Sequence, residues 1–485
     1  MRGIWIVILL INWGFTYAQN NTVTLWGNAP GYSNMHLTIE RESNYITRSF
    51  QDLATFTVDP KGNFSASFAV EEITKIYISL GELRGHLYVE PGKTYLVTLP
   101  LYRPLKPEDK LNPFFTPGSV VLGVQNSSPQ EINRKTTAFE EKYNYLFNKN
   151  IKRIILTGNK KDLFKIIDEI DVEFPAENGS WFYYYKHFKY QNLYEYAYSS
   201  KPRRAIHNGF STIPVLYNLD TYWASFNRQF NHFFHYYLSS KEGQSFKNTW
   251  NKSESFKLIT RSLSQDTLFK NRELAELIIL KNLYTGYFSN KYSKLKITNI
   301  VKSAKDSCVN DENNRIASEI LDKITKLNIG EAPPAFELEN LSGSKTIVLQ
   351  DYKGKFVYLN FANTKNYACK KDFQVLEQMA QTYKKDMEIV TILTDEDPDE
   401  AMEYVKNNKF SWHFLHFGQN AKILLDYNIK ALPTYYLINP EGNMVLSPAP
   451  SPEENFAEVF AEIYNNFRRK QLRKNKPKNR TVYDL

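Results

Sequence analysis

The sequence predicts a multi-domain protein: a small antiparallel β-sandwich, then an all-α middle domain, then an α/β domain. At 485 residues the chain is too long for a single hydrophobic core. Short segments with alternating apolar residues fill positions 19–100, and helical apolar spacing fills most of positions 101–327. Strands alternate with helices over positions 328–467. An aromatic content of 15% indicates ordered cores rather than a disordered tether.

The first 18 residues have the features of a secretory signal peptide. Arg2 supplies a positive charge, residues 4–15 form a short apolar run, and Ala18 is a small residue at the expected cleavage point. The run is too short to span a bilayer, and no later stretch is apolar enough to do so. We therefore expect an exported protein that does not span the membrane, with an uncleaved anchor as the alternative.

The net charge of +9 is distributed unevenly along the chain. Residues 328–467 contain 12 Lys, no Arg and 20 acidic residues, whereas residues 468–480 contain eight basic residues and no acidic one. We interpret residues 468–485 as a solvated, frayed basic tail, with contact to an anionic surface as the alternative. Nucleic acid is not an expected partner for an exported protein.

Residues 19–100 carry the β-sandwich prediction. The runs 64–70 and 76–80 have β-type alternation, and the turn sequence at 59–63 contains Pro and Gly. Several short strands at such close spacing are typical of an antiparallel sandwich. The stretch that follows, 101–130, is rich in proline and is predicted to be irregular.

From residue 130 to residue 327 the apolar residues recur at helical spacing, and prolines punctuate the pattern. We predict seven or eight helices here. Two aromatic blocks, residues 181–198 and 222–237, are interpreted as helix-packing residues, with a stacking platform for a glycan or an extended peptide as the alternative. His232 and His235 have a spacing found in some metal sites, but no acidic or third His partner lies nearby in sequence, so no metal is predicted.

Residues 328–467 show a defined order of elements. Residues 355–361 are predicted to form a strand, whose apolar run at 356–361 suits burial. Helical spacing follows over 370–385, and a second buried strand covers 387–393. A hairpin and a closing helix complete the segment. This order resembles that of the thioredoxin fold.

Three motifs in this segment resemble TlpA-type thioredoxin-like proteins. Residues 330–338 (GEAPPAFEL) are similar to the family's opening segment, and residues 352–361 (YKGKFVYLNF) to its central strand. Residues 429–434 (IKALPT) match the loop that holds the family's cis-proline, which implies a cis bond between Leu432 and Pro433. The domain order resembles a Bacteroidota subgroup of periplasmic proteins. The resemblance therefore implies a periplasmic location, thiol-disulfide oxidoreductase ancestry and no cofactor.

The sequence departs from this family at the redox motif. The family has Cys-x-x-Cys at the start of the helix after the central strand, whereas this chain has Asn366-Tyr367-Ala368-Cys369. The resemblance implies that the first position holds the nucleophile, because helix N-terminal amides lower the pKa of a thiol there. Asn366 can cap the helix but cannot attack a disulfide. We therefore expect no two-cysteine cycle at this site, and Cys308, in a predicted helix, is not expected to substitute.

Three functions follow from these observations. The first, which we predict, is a redox-inactive module that binds a protein or an extended peptide at the cis-proline face. The second is a single-cysteine thiol-disulfide oxidoreductase acting through Cys369. The third is a structural or interaction protein that uses the aromatic helical domain. The predicted binding face comprises Lys365, Tyr367, Leu432, Pro433 and Thr434, with Tyr435 and Tyr436 beside them.

Overall fold

The computed structural model describes residues 21–106, 109, 115–125, 127–157, 160–198, 201–289, 291–418 and 421–474. The expected signal peptide, residues 1–18, and the distal part of the basic tail, residues 475–485, lie outside the described residues. The described residues form two compact units. The first unit holds the described residues within 21–104, 117–289 and 306–316, and the second holds those within 105–106, 109, 115–116, 291–305 and 317–474.

Two β-sheets form the N-terminal part of the first unit. Their strands are β1 (Thr22–Asn28), β2 (His36–Asn44), β3 (Ser49–Thr57), β4 (Asn63–Ala69), β5 (Thr74–Leu80), β6 (Leu83–Val89), β7 (Thr94–Thr98), β8 (Gly118–Val121) and β9 (Gly123–Gln125). One sheet has the order β4-β1-β7-β9 and the other β3-β2-β5-β6-β8. Alternate residues such as Val23, Leu25, Ile76 and Ile78 point inward and form a shared core.

Strands β8 and β9 come from the stretch predicted to be irregular. β8 pairs with β6 in parallel, and β9 pairs with β7 in antiparallel orientation. The prediction was wrong for these two strands because they are only four and three residues long. Alternation cannot be recognised over so short a run.

Eleven α-helices follow among the described residues, rather than seven or eight. They are α1 (Ile132–Thr157), α2 (Lys160–Glu173), α3 (Trp181–Ala197), α4 (Pro202–Ile206), α5 (Asp220–Gln229), α6 (Phe233–Tyr237), α7 (Gln244–Lys252), α8 (Phe256–Leu263), α9 (Arg272–Tyr287), α10 (Lys294–Ala304) and α11 (Asp311–Thr325). Helices α4 and α6 have five residues each, too few to show a helical period.

The two aromatic blocks pack mainly between these helices. Phe188 and Tyr222 lie with ring centroids 4.9 Å apart, as do Phe226 and Phe230, and all four side chains are buried. Edge-to-face and tilted contacts of this kind favour a packed core. Most of these rings therefore stabilise the helical region and are not available as a stacking platform.

A mixed five-stranded sheet forms the centre of the second unit. Its strands, in the order β14-β13-β12-β15-β16, are β12 (Phe356–Ala362), β13 (Met387–Leu393), β14 (His413–His416), β15 (Thr434–Ile438) and β16 (Met444–Ala449). Two further strands, β10 (Glu337–Glu339) and β11 (Thr346–Val348), pair with each other in a two-stranded sheet. The helices are α12 (Tyr367–Thr382), α13 (Pro398–Asn407), α14 (Ala421–Asp426) and α15 (Phe456–Lys474). Central strand β12 is buried at every position, parallel to β13 and antiparallel to β15.

Helix α15 extends into the segment predicted to be a frayed tail. It ends at Lys474 rather than at residue 467. Lys and Arg have high helix propensity, and their positive charges interact favourably with the C-terminal end of a helix. Within the described ranges, each helix is too short or too polar to serve as a membrane span.

Candidate functional site

The site lies where the central strand gives way to the next helix. Strand β12 ends at Ala362 and α12 begins at Tyr367, with Asn366 as its N-cap residue. The Oδ1 atom of Asn366 accepts hydrogen bonds from the backbone N–H groups of Ala368 at 2.9 Å and Cys369 at 3.2 Å. The first N–H groups of a helix have no intrahelical acceptor, so this side chain satisfies two of them.

The loop before β15 lies against this cap. The Leu432–Pro433 peptide bond is cis. The Nδ2 atom of Asn366 donates to the carbonyl oxygen of Leu432 at 3.5 Å, and the Thr434 hydroxyl donates to the carbonyl of Ala431 at 2.6 Å. The structure therefore brings Asn366 and the loop containing Pro433 together.

Lys365 and Tyr367 flank the cap on the solvent side. The Tyr367 side chain is 83% exposed. Lys365 forms an exposed ion pair with Glu400, with 2.5 Å between Nζ and Oε2. Tyr435 and Tyr436 differ from the prediction, because both side chains are buried in the sheet and do not belong to the exposed face.

Cys369 lies in the first turn of α12 and points into the core. It is 0% exposed and packs in a cluster with Ala362, Phe373 and Tyr435. Burial raises the pKa of the Cys369 thiol to about 11; hydrogen bonding to backbone N–H groups opposes this shift, and the Asp372 and Asp395 carboxylates add to it. Burial shields the thiol. The thiol is also weakly reactive at neutral pH, because the thiolate is the nucleophilic form.

Asp372 is a residue of the site that the sequence did not reveal. It is buried one turn after Cys369 on α12, and the Tyr435 hydroxyl donates to its Oδ2 atom at 2.6 Å. Burial raises the pKa of Asp372, and the Tyr435 hydrogen bond offsets part of that rise. The spacing of three between Cys369 and Asp372, which places both on one helix face, was the available signal.

Asp395, after strand β13, is a second buried carboxylate that the sequence did not reveal. Both its carboxylate oxygens accept from the Thr364 N–H at 3.1 Å, and Oδ1 also accepts from the Thr364 hydroxyl at 2.5 Å. The ring of His416 contacts the Asp395 carbonyl oxygen through Nε2 at 2.8 Å, and its Nδ1 accepts from the Gly418 N–H at 3.2 Å. These bonds fix the segment that leads to Asn366.

Cys308 and Cys369 are both in the thiol form, with no disulfide between them. Cys308 lies in the loop between α10 and α11 rather than in the predicted helix, and its N–H donates to Asn314 Oδ1 at 3.0 Å. Burial and the Glu276 carboxylate hold the pKa of the Cys308 thiol well above its ordinary value. Among the described residues, no group of three or more His, Cys, Asp or Glu side chains is arranged to hold a metal ion.

Comparison with known proteins assigns the second unit to a family. Residues 354–444 match the family model described as thioredoxin-like. The chain is 33% identical over 121 residues to the thiol-disulfide oxidoreductase ResA of Bacillus cereus, a match that covers 25% of this chain and 69% of that protein. It is 36% identical over 124 residues to ResA of Bacillus anthracis, covering 25% of this chain and 69% of that protein.

A solved structure is also similar. The thioredoxin domain of a thiol-disulfide oxidoreductase from Bacteroides vulgatus is 24% identical, with coverage of 28% of this chain and 99% of that chain, at a TM-score of 0.26. The β-rich region, the helical middle and the C-terminal α/β domain are all present in the expected order. The predicted multi-domain fold class is therefore confirmed. The β-sandwich, which was predicted to be antiparallel, also contains the parallel pairs β1–β7 and β6–β8.

Proposed function

This chain belongs to the thioredoxin-like family of thiol-disulfide oxidoreductases, and we propose that it is a binding module that has lost the family's nucleophile. In this proposal Asn366 stands at the first cysteine position of a TlpA-type Cys-x-x-Cys motif, and Cys369 stands at the second. The module recognises a partner protein or an extended peptide instead of exchanging disulfides.

The hydrogen bonding of Asn366 is the observation that supports this proposal most strongly. Its Oδ1 atom occupies two N–H groups at the start of α12. In a redox-active site the same N–H groups stabilise a thiolate and lower its pKa. A neutral carboxamide satisfies them here, and a carboxamide has no sulfur with which to form a mixed disulfide.

The alternative of single-cysteine exchange through Cys369 is less well supported. In that reaction a thiolate attacks one sulfur of a disulfide, forms a mixed disulfide and releases the other sulfur as a thiolate. Cys369 is fully buried, and its thiol has a pKa raised to about 11 by that burial. Both access and ionisation therefore oppose attack by this residue.

Backbone groups of the cis-proline loop support the peptide-binding part of the proposal. The Leu432 N–H donates no hydrogen bond to any described part of the chain, and the exposed ring of Tyr367 belongs to the same site. An extended polypeptide binds such a surface by pairing its own backbone with free backbone groups and by resting a side chain on an aromatic ring. Lys365, Pro433 and Thr434 complete the proposed contact face.

We further propose that the module works in the periplasm of a Bacteroidota bacterium. The charged, apolar and small-residue order of residues 1–18 supports export. The basic tail, residues 468–485, is a candidate for contact with an anionic surface in that compartment.

Restoring the missing sulfur tests the loss of catalysis. The Asn366→Cys variant is expected to reduce insulin with dithiothreitol as the electron source, whereas the unaltered chain shows only the rate of dithiothreitol alone. Asn366→Ser is the matched control, because serine caps the helix without supplying a thiol. A wild-type chain as active as Asn366→Cys, or no gain in that variant, contradicts the assignment of position 366.

Binding of an unfolded polypeptide tests the retained function. The probe is reduced, carboxymethylated ribonuclease A, which is extended and has no free thiol. Tyr367→Ala should weaken its binding to the full chain, whereas Tyr236→Ala should not, although both tyrosines are strongly exposed. Equal affinities for the two variants contradict recognition at the cis-proline face.

A further inference from the structure

A cavity of about 530 Å³ lies within the first unit. Its walls include Lys75 from β5, Tyr88 from β6, Glu140 from α1, Lys189 from α3 and Asp220 from α5. Small-molecule sites in proteins usually have volumes of about 300–1,000 Å³. The cavity thus has the size of a ligand site, and it is separate from the thioredoxin-like unit.

One wall carries a shielded ion pair. Lys75 Nζ lies 2.9 Å from Asp220 Oδ2, with the two side chains 16% and 18% exposed. The Tyr88 hydroxyl lies 2.9 Å from both carboxylate oxygens of Asp220, to which it donates. Burial pushes the pKa of Asp220 up, but Lys75 and Tyr88 outweigh it and hold the pKa below its ordinary value. The pair is therefore charged at neutral pH.

A second pair of the same kind faces the cavity from the helices. Glu140 accepts from the Tyr185 hydroxyl at 2.6 Å through Oε1 and pairs with Lys189 Nζ at 2.7 Å through Oε2. Both pairs thus place a cationic donor beside an anionic acceptor, and a tyrosine hydroxyl donates a hydrogen bond to each carboxylate.

The remaining ionisable groups leave the lining electrically balanced. Arg228 joins Lys75 and Lys189 as a third cation, and Glu141 joins Asp220 and Glu140 as a third carboxylate. Arg228 is itself paired with Glu195 through two contacts, at 2.5 and 3.1 Å. Burial lowers the pKa of His86 to about 4, so this ring is neutral at pH 7.

This pattern favours an uncharged ligand. A charged ligand would compete with ion pairs that are already formed, and an unpaired charge left in a shielded site is costly. A hydroxyl group, in contrast, accepts from an ammonium and donates to a neighbouring carboxylate without breaking their contact. Lysine has three donors and a carboxylate about four acceptor sites, so each pair retains capacity for further hydrogen bonds. A polyhydroxylated ligand is the type of molecule that engages both ion pairs, because each of its hydroxyl groups can accept from the ammonium and donate to the carboxylate.

We propose that this cavity binds a short, uncharged saccharide. Hydroxyl groups of the sugar bridge the Lys75–Asp220 pair and the Lys189–Glu140 pair. This site is independent of the proposed loss of catalysis at Asn366.

Saturation-transfer NMR on the mature chain is the direct experiment. The neutral probes are chitotriose, cellotriose and maltotriose; the comparison probes are trigalacturonate, which is charged, and a blocked neutral tripeptide. At least one neutral saccharide is expected to receive saturation, and the two comparison probes are not. Binding should be unchanged in Asn366→Ser, which separates this site from the thioredoxin-like one.

Two variants that fill the cavity locate the binding. Ala224→Trp on α5 and Thr137→Trp on α1 replace exposed residues that line the cavity, and each should weaken saccharide binding at least about tenfold, equivalent to about 1.4 kcal/mol. Gln229→Trp, on α5 but outside the cavity, is the matched control and should bind as the wild type does. Circular dichroism confirms that each variant is folded.

Three results would overturn the inference. The first is that no neutral saccharide binds the wild-type chain. The second is that a saccharide binds equally well to folded Ala224→Trp and Thr137→Trp. The third is that the tripeptide or trigalacturonate binds in a manner that these substitutions block, which would identify a peptide or an anionic ligand instead.

Discussion

In the first compact unit, the buried carboxylates of Glu42, Asp162 and Glu276 each form an ion pair with an arginine. In the second unit, Asp372 and Asp395 are as deeply buried, yet they accept hydrogen bonds from neutral groups and form no ion pair within the described chain. The sequence of residues 328–467 contains no arginine at all. The same kind of side chain is therefore compensated by charge in one unit and by neutral donors in the other.

This difference has a chemical consequence at Cys369. A guanidinium paired with a carboxylate opposes its field, whereas an uncompensated carboxylate raises the pKa of acids around it without opposition. Asp372 and Asp395 both add to the raised pKa of Cys369, after the larger effect of burial. The first unit shows the same effect at Cys308, where burial and then Glu276 raise the pKa of the thiol and Arg272 opposes that rise. Residues 328–467 contain no arginine that could oppose the two carboxylates at Cys369.

The largest effect is expected from removing a cation in the first unit. Lys75→Met leaves the Asp220 carboxylate without its ion-pair partner, and we expect a loss of about 3–5 kcal/mol in the free energy of unfolding. Urea unfolding of the full chain, followed by tryptophan fluorescence, measures this loss. The double variant Lys75→Met, Asp220→Leu should recover much of it. A loss below about 1 kcal/mol in the single variant would show that the pair is not structurally important.

A smaller loss is expected from removing a neutral donor in the second unit. Tyr435→Phe deprives buried Asp372 of its hydrogen bond, which should cost about 1–3 kcal/mol. The matched control is Tyr464→Phe, because Tyr464 donates to Asp386 at 2.8 Å near the surface. Chemical denaturation should show a clearly smaller change for the control. Equal changes would mean that Asp372 is no more dependent on its donor than an exposed carboxylate.

The helix cap at the site should contribute less to the free energy of unfolding than either of these two interactions. Asn366→Ala removes the acceptor of two N–H groups and is expected to cost about 1 kcal/mol. Asn366→Ser keeps a capping oxygen and should retain most of that stability. If alanine and serine behave alike in thermal unfolding, the side chain of Asn366 is not an effective cap in solution.

The smallest change in the free energy of unfolding is expected from Asp372→Asn, and the sign of this change is informative. The pKa of Asp372 is raised in the folded state, so its contribution to stability is complete below the unfolded pKa and is lost as the pH rises through the folded pKa. The asparagine variant should therefore be more stable than the wild type at neutral pH, and the two should converge below about pH 3.

Asp220→Asn should change the free energy of unfolding at neutral pH in the opposite direction, because the pKa of Asp220 is lowered in the folded state. The stability that Asp220 contributes is present above its unfolded pKa and is lost as the pH falls through the folded pKa. This variant should be less stable than the wild type at neutral pH, and the difference should shrink in acid. Urea unfolding across the pH range measures both slopes, and slopes of the same sign would remove the contrast between the units.

Sequence patterns were sufficient for the elements that position the site. The predicted strand at 387–393 matches β13, and the predicted strand at 355–361 is shifted by one residue from β12 at both ends. Both are continuous apolar runs, which buried strands require. The predicted helix at 370–385 begins three residues late, because polar Asn366 and exposed Tyr367 interrupt the apolar period at the cap.

The buried polar contacts of the site could not be predicted from the sequence in the same way. Asp372 meets Tyr435 and Asp395 meets Thr364 across gaps of 63 and 31 residues, so no local pattern reveals either contact. Strand β14 was missed for a related reason: four residues at the sheet edge, two of them histidine, carry no clear alternation. The spacing of apolar residues along the sequence indicates which side chains are buried. The pairing of buried polar groups depends instead on the tertiary fold.

The reactivity of Cys369 tests most directly the claim that this thioredoxin-like site no longer performs thiol chemistry. Iodoacetamide labelling of the native chain between about pH 6 and 12, with Cys369 quantified by mass spectrometry of its peptide, gives the rate and the apparent pKa of this one thiol. We predict slow labelling at neutral pH and an ionisation near the raised value of about 11. Rapid labelling at neutral pH, with an ionisation below the ordinary range of a free cysteine, would show an accessible thiolate and contradict the account.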